Sequence, residues 1–232
     1  VSLTILARLG GLVAVDKPPG VLVIPGRAVD AEPCAQALLQ AQLGQPVWVC
    51  HRIDRDTSGV LLFATDARAH REASMAFERG EVQKRYLALV QGRVTQPLDI
   101  DLMLVEARKR KMRVAVAGEL GKASRTLVRP RECFPRATLV ECEPLSGRQH
   151  QLRVHLRARG HPLLVDHQYG RKTPLTVREL GGGDSDQVAL ARTPLHAESL
   201  TLPALGFTAS SPWPADLELA LACLRRSALG NV

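Results

Sequence analysis

"CHRIDRDTSGVLLF", Cys50–Phe63, packs two arginines, a histidine and two aspartates into six residues and then runs straight into an apolar segment. The continuation "TSGVLLFATD" lacks the alternation of a half-exposed strand. A short continuous apolar run bounded by turn formers instead suits a strand buried on both faces. Asp66 then caps a predicted helix reaching roughly Arg79, with Ala69, Ala73, Ala76 and Phe77 on one side and Gly80 as its stop.

Upstream, "GLVAVDKPPGVLVIPG" reads as strand, turn, strand: Leu12 to Val15 is apolar, Pro18-Pro19-Gly20 breaks the chain, and Val21 to Ile24 resumes it. Downstream, "VQKRYLALVQG" alternates, so Lys84, Tyr86, Ala88 and Val90 share one face of a strand and Arg85, Leu87 and Leu89 the other. "EARKRKMRVAV" sets Arg108, Lys109, Arg110, Lys111 and Arg113 ahead of a second alternating run and predicts a charged hairpin. Clustered like charges repel one another unless an anion lies across them, so phosphate contact is expected there, against the alternative of a solvated face.

"ATLVECEPLSGRQHQLRVHLRARGHPLL" gives strand, turn and helix. Ser146 and Gln149 have the spacing of a capping box, Leu152 and Leu156 form a narrow apolar stripe, and Gly160 ends the helix before Pro162. His150, Arg153 and Arg157 are then expected to line one face away from the core. "GGGDSD", Gly181 to Asp186, is a loop, and the final "LELALACLRR" a short amphipathic helix. Strands interleaved with isolated helices point to an α/β or α+β protein whose sheet is at least partly antiparallel.

The 232 residues are expected to form one compact unit, and no stretch approaches the ~20 apolar residues of a membrane span. No secretory leader is visible, so a cytoplasmic location is expected. The five cysteines, Cys34, Cys50, Cys133, Cys142 and Cys223, are odd in number and scattered, which predicts buried free thiols. Lysine and arginine number 31 against 23 acidic residues, a net charge of +8. Such a balance draws polyanions and makes nucleic acid the leading partner. With 3% aromatic residues, recognition by stacking many bases on aromatic platforms is disfavoured.

Asp54 and Asp56 are the evident carboxylate pair, about 6.5 Å apart on one face if the chain is extended. Alone, the pair fits glycoside chemistry, a metal-binding Asp-x-Asp, or a turn closed by Asp56. Asp54 lies between Arg52 and Arg55, where an arginine would keep a carboxylate ionised. His150 and His155 are five apart, not the i, i+4 spacing of a helical zinc pair, and no metal is expected. Neither a Gly-rich nucleotide loop nor a nucleophile elbow occurs.

Taken together these blocks resemble the RluA-type pseudouridine synthases. "HRIDRDTSGVLLFA" is similar to the family's nucleophile motif, "QKRYLALVQG" to its Lys-x-Tyr strand, and "SGRQHQLRVHLRARGHPLLVDHQYG" to its Gly-Arg-x-His-Gln helix with the Gly-His-Pro and Asp-x-x-Tyr-Gly segments after it. "LVAVDKPPGVLVIPG" and "TPLHAESLTLP" fit as well, so the likeness covers nearly the whole chain. Ile53 stands where leucine is usual, and the S4-like RNA-binding module that many relatives carry is not expected at the N-terminus.

The resemblance implies a single α+β catalytic domain over residues 1–232, a mixed, largely antiparallel sheet with flanking helices around a central cleft, and a monomer. It implies isomerisation of uridine to pseudouridine in RNA, ribosomal before transfer RNA, with no cofactor. Asp54 would be the catalytic carboxylate, Tyr86 the ring stacked on the target uracil, and Arg153 the partner of Asp54. Arg52 would enter the RNA in place of the extruded nucleotide, beside Arg55. The basic residues 108–113, Arg148, His150 and Arg157 would hold RNA, and the helix start near Gly147 would offer free N–H groups to a phosphate. Two readings compete with this one: a glycoside hydrolase using Asp54 and Asp56, and an inactive RNA-binding or RNA-folding protein on the same scaffold.

Overall fold

The buried strand expected after Thr57 is β4 (Ser58–Ala64), and every residue of it is buried. It is the centre around which the first part of the protein is built. The computed structural model describes residues 2–25, 33–108 and 111–229. These fall into two compact units, Val1–Arg85 with His196–Pro212, and Tyr86–Leu195 with Trp213–Val232.

In the first unit β1 (Thr4–Leu9) pairs antiparallel with β2 (Leu12–Lys17), and β2 with β4. The two-residue β3 (Trp48–Val49) also pairs antiparallel with β4. On its other side β4 runs parallel to β13 (Leu195–Leu202), with His196 opposite Ser58 and Ala197 opposite Gly59. The glycine of Thr-Ser-Gly is required there: its φ is +107°, and a Cβ would stand 2.2 Å from the Ala197 carbonyl oxygen. β14 (Phe207–Ser210) closes the unit against β13. Helix α2 (Ala67–Glu78) starts as its sequence predicts, with Asp66 Oδ1 accepting from the Ala69 N–H at 2.8 Å, and buries Ala69, Ala73 and Ala76.

Val21–Ile24 is not a strand. Its carbonyls are used elsewhere: Val21 accepts from the Lys17 ammonium, and Leu22 and Val23 accept the Ala35 and Gln36 N–H groups at the start of α1 (Ala35–Leu43). A helix start whose N-cap, Cys34, offers no capping side chain takes its acceptors from this segment, and the sheet loses a ladder.

The second unit holds an antiparallel sheet in the order β5 (Gln83–Gln91, the unit boundary falling between Arg85 and Tyr86), β10 (Ala137–Pro144), β9 (Arg125–Cys133), β6 (Leu98–Asp101). The alternation read in β5 holds. Tyr86, Ala88 and Val90 pack with Leu152 and Leu156, whereas Leu87 and Leu89 pack with Leu217, Leu221 and Leu224 of α4 (Ala215–Leu229), a longer helix than its sequence suggested. The charged hairpin forms from β7 (Leu104–Ala107) and β8 (Lys111–Val114). Lys109 and Arg110 lie outside the described residues. The short pair β11 (Leu175–Thr176) and β12 (Val188–Leu190) flanks the Gly181–Asp186 loop.

Helix α3 (Gln151–Ala158) departs from expectation. Ser146 and Gln149 do not form a capping box. Ser146 Oγ bonds to Gln151 Oε1 at 2.8 Å, and the same oxygen takes the Arg148 N–H at 3.0 Å, so Gln151 caps the preceding turn and the helix begins later. The free helix N–H groups expected near Gly147 are displaced accordingly. Gln151 to Leu156 are all buried, so in place of a narrow stripe the first six residues of the helix are enclosed, and Arg157 and Ala158 at its end are exposed. The five thiols are free, with Cys34, Cys142 and Cys223 buried, Cys50 half-buried and Cys133 exposed. Among the described residues no helix is long and apolar enough to cross a membrane.

Candidate active site

Asp54 sits in the turn that feeds β4, half-buried, with its carbonyl accepting the Thr57 N–H at 3.2 Å. What fixes this turn is a residue to which the sequence reading assigned no role. Register places Lys17, the last residue of β2, opposite Gly59, and its side chain is wholly buried. The ammonium donates to the carbonyls of Pro18, Val21 and Arg55 at 2.8, 2.9 and 2.8 Å. Arg55 completes the clasp: its Nε donates to the Gly20 carbonyl at 2.8 Å and its carbonyl accepts the Gly20 N–H at 3.0 Å. The Pro-Pro-Gly turn and the Asp54 turn are therefore locked backbone to backbone through one buried cation. Arg52 is exposed and Asp56 half-buried.

Behind this turn, His51 stacks on Phe77 with ring centroids 4.8 Å apart, and its Nε2 accepts the Leu62 N–H at 3.0 Å. Burial, helped by the charge of Lys84, drives its pKa down to about 3, so the ring is a neutral structural acceptor. Burial likewise lowers Lys84 to about 8. The Cys50 thiol is pushed up to about 12 by burial and stays protonated at neutral pH.

In the second unit Tyr86 is half-buried on the face of β5 that meets α3, opposite Cys142 of β10. Arg153 does not face away from the core. It is buried, and its Nε and Nη2 donate side by side to Asp166 at 2.8 and 2.7 Å. Its guanidinium carbon lies 4.9 Å from the centre of the Tyr169 ring. Burial alone would raise the Asp166 pKa, but the Arg153 hydrogen bonds and charge, with two backbone N–H groups, outweigh it and hold the carboxyl below its usual range. His150 is half-buried, bonds to the Tyr169 hydroxyl at 2.6 Å, and is the one non-glycine residue with positive φ, 53°, among the described residues. His155 faces Thr126, Ser124 and the Leu102 carbonyl at 3.0 to 3.2 Å. The described residues contain no cluster of three or more potential metal ligands.

The expected phosphate contacts divide. Arg108, Arg148 and Arg157 are exposed, although Arg148 Nε donates to the Ala123 carbonyl at 3.1 Å. Lys111 donates to the Gln168 carbonyl at 3.2 Å. Arg113 grips Glu119 through both terminal nitrogens at 2.6 and 2.7 Å. Lys17, Asp166 and Tyr169 are the residues sequence reasoning missed. Asp-x-x-Tyr-Gly was visible as a motif, but only the fold shows that its aspartate and tyrosine enclose Arg153.

A family model described as RNA pseudouridylate synthase matches residues 11–158. The ribosomal large subunit pseudouridine synthase D of Nitrosomonas europaea is 35% identical, over 97% of this chain and 66% of that protein. The dual-specificity RNA pseudouridine synthase RluA of Salmonella typhi is 34% identical, over 92% and 94%, and the tRNA pseudouridine synthase C of the same organism is 35% identical, over 86% and 80%. Among solved structures, human RNA pseudouridylate synthase domain containing 4 superposes with a TM-score of 0.78 at 26% identity, covering 96% of this chain and 93% of that one. The chain belongs to the RNA pseudouridylate synthase family, and within it to the RluA type.

Proposed function

We propose that this protein isomerises uridine to pseudouridine in structured RNA, ribosomal RNA in preference to transfer RNA, with Asp54 as the catalytic carboxylate. The observation that carries the reading is the seat of Asp54: a half-buried carboxylate on a turn that is tied at one end to a wholly buried strand and at the other to the Lys17 clasp. A group fixed in this way loses little freedom when substrate arrives. Support for ribosomal RNA comes from the relative matched over 97% of this chain, a ribosomal large subunit enzyme.

The reaction breaks the N1–C1' glycosidic bond, turns the uracil, joins C5 to C1' and releases the C5 proton. The Asp54 carboxylate serves either of two first steps, attack on C1' or removal of the C2' proton. The target base must first leave its stack, at a cost of a few kcal/mol, and exposed Arg52 is assigned to the vacated space. Tyr86 is assigned to cover the extruded base and Arg153 to steady the Asp54 carboxylate, because a guanidinium is permanently charged and can bind a carboxylate through two nitrogens. These roles rest on the motifs in which the residues stand.

The test is tritium release from RNA labelled at uracil C5, with ribosomal and transfer RNA supplied separately from cells lacking this protein. Wild type is expected to release label from ribosomal RNA. Asp54→Asn is expected to release none while binding the same RNA with unchanged affinity. Normal turnover by Asp54→Asn would refute the assignment, free uracil would indicate a hydrolase, and binding without release by wild type would indicate an RNA-binding protein.

A further inference from the structure

Arg153 is held by the carboxylate of Asp166, to which the sequence motifs assign no role. The Arg153 and Asp166 side chains are 9% and 2% exposed. A side-by-side pair of N–H to O bonds fixes the plane of a guanidinium as well as its distance. Asp166 is itself immobile. Its Oδ1 accepts the Gln168 and Tyr169 N–H groups at 2.9 and 3.0 Å, its N–H donates to the Arg171 carbonyl, and its carbonyl takes the Gly170 N–H. Just before it, residues 162–164 are bonded along β5, with the Gln91 N–H on the Pro162 carbonyl at 2.8 Å and the Leu164 N–H on the Leu89 carbonyl at 3.0 Å. The anchor for Arg153 is thus mounted on the strand that also carries Tyr86.

Gln168 Oε1 accepts from Arg153 Nη2 at 3.3 Å, and the Tyr169 ring forms a floor under the guanidinium. The Tyr169 hydroxyl in turn accepts the Met112 N–H at 2.7 Å. As a stabilising device such an arrangement is poor, since the desolvation of two charges offsets most of their attraction and apolar residues of equal volume often serve as well. What an apolar pair does not supply is a charge held in one direction.

We propose that Asp166 is a positioning residue for the reaction, fixing the plane of the Arg153 guanidinium, with the Tyr169 ring as its floor. This inference rests on the reading that Arg153 serves Asp54.

The test is a double-mutant cycle of Asp166→Asn and Arg153→Lys, read as single-turnover tritium release, with RNA affinity and melting temperature measured alongside. Asparagine keeps an oxygen for the two backbone N–H groups and removes the charge. Asp166→Asn is expected to lower the rate about 100-fold, the scale of a misplacement near 1 Å, at unchanged RNA affinity. In the Arg153→Lys background the same change should cost no more than about threefold, because the geometry it protects is already lost. Equal losses in both backgrounds, or a wild-type rate in Asp166→Asn, would overturn the proposal. Should Asp166→Asn fail to fold, Asp166→Glu replaces it. A folded Asp166→Glu protein that keeps its charge and loses more than about tenfold in rate supports positioning, and one with the wild-type rate refutes it. A wild-type protein that binds RNA and releases no label would overturn the functional reading and this inference together, whereas active wild type with additive losses would overturn this inference alone.

Discussion

Replacing Lys17 by methionine tests whether the buried ammonium holds the Asp54 turn. The substitution keeps the length and most of the volume of the side chain and deletes three donors, those to Pro18, Val21 and Arg55 at 2.8 to 2.9 Å. Hydrogen bonds to a charged group contribute about 1.5–3 kcal/mol each, so the gross loss is about 4.5–9 kcal/mol. Against this stands the desolvation of an ammonium that is wholly buried, a cost of several kcal/mol that methionine does not carry. Part of the loss is also softened because the Arg55 carbonyl retains the Gly20 N–H. The net expectation is a destabilisation of about 3 kcal/mol, the scale of leaving the Pro18 and Val21 carbonyls without the Lys17 donor. For a chain of this size that lowers the melting temperature by roughly 6–12 °C. Turnover should fall further than stability explains. At a temperature where the variant is fully folded, circular dichroism being used to confirm it, single-turnover tritium release should drop about 10–100-fold, because the residue after Asp54 has lost its anchor. A Lys17→Met protein with the melting temperature and rate of wild type would show that the clasp neither stabilises the turn nor orients the carboxylate.

Two further outcomes follow from the electrostatics. His51 titrates near 3 when folded and near 6.5 when unfolded, so between these values the unfolded chain binds the extra proton and acid favours unfolding. From pH 8 down to 5 this group alone should remove about 2 kcal/mol of stability, and His51→Gln, which keeps an acceptor for the Leu62 N–H, should lose that slope in urea melts; parallel curves for the two proteins would refute it. On the hairpin, Arg113 is committed to Glu119 whereas Arg108 is exposed. Arg108→Ala should reduce the slope of log affinity for RNA against log salt by about one, with no change for Arg113→Ala, and the opposite ranking would show that Arg113 leaves Glu119 to bind phosphate.

How far the sequence could be read depended on whether a residue's partner was near it in the chain. β4 announced itself by an unbroken apolar run, and α2 by Asp66 three residues before the N–H it caps. The alternation of β5 placed Tyr86 on the correct face for the same reason. Helix α3 was misjudged because Arg153 was assigned, with His150 and Arg157, to a face away from the core. Gln151, Arg153 and His155 are buried, each satisfied by a group far along the chain: Gln151 by Thr126 and the Arg125 carbonyl, Arg153 by Asp166, His155 by Thr126 and Ser124. Periodicity registers hydrophobicity and is blind to paired polarity, so a helix whose first six residues are buried looked like one with a wet face along its length. Lys17 was given no role, since the Arg55 carbonyl that its ammonium ties to the Pro-Pro-Gly turn lies far along the chain. For Arg153 the error has a clear direction: a buried, paired polar side chain was taken for an exposed one. Buried polar groups specify a single arrangement more strictly than apolar packing does when all their partners are in place. The features least legible in this sequence are therefore the ones that hold Asp54 and Arg153 at fixed positions within their own units, and substitutions at Lys17 and Asp166 should change the rate more than substitutions of comparable size among the leucines of β4.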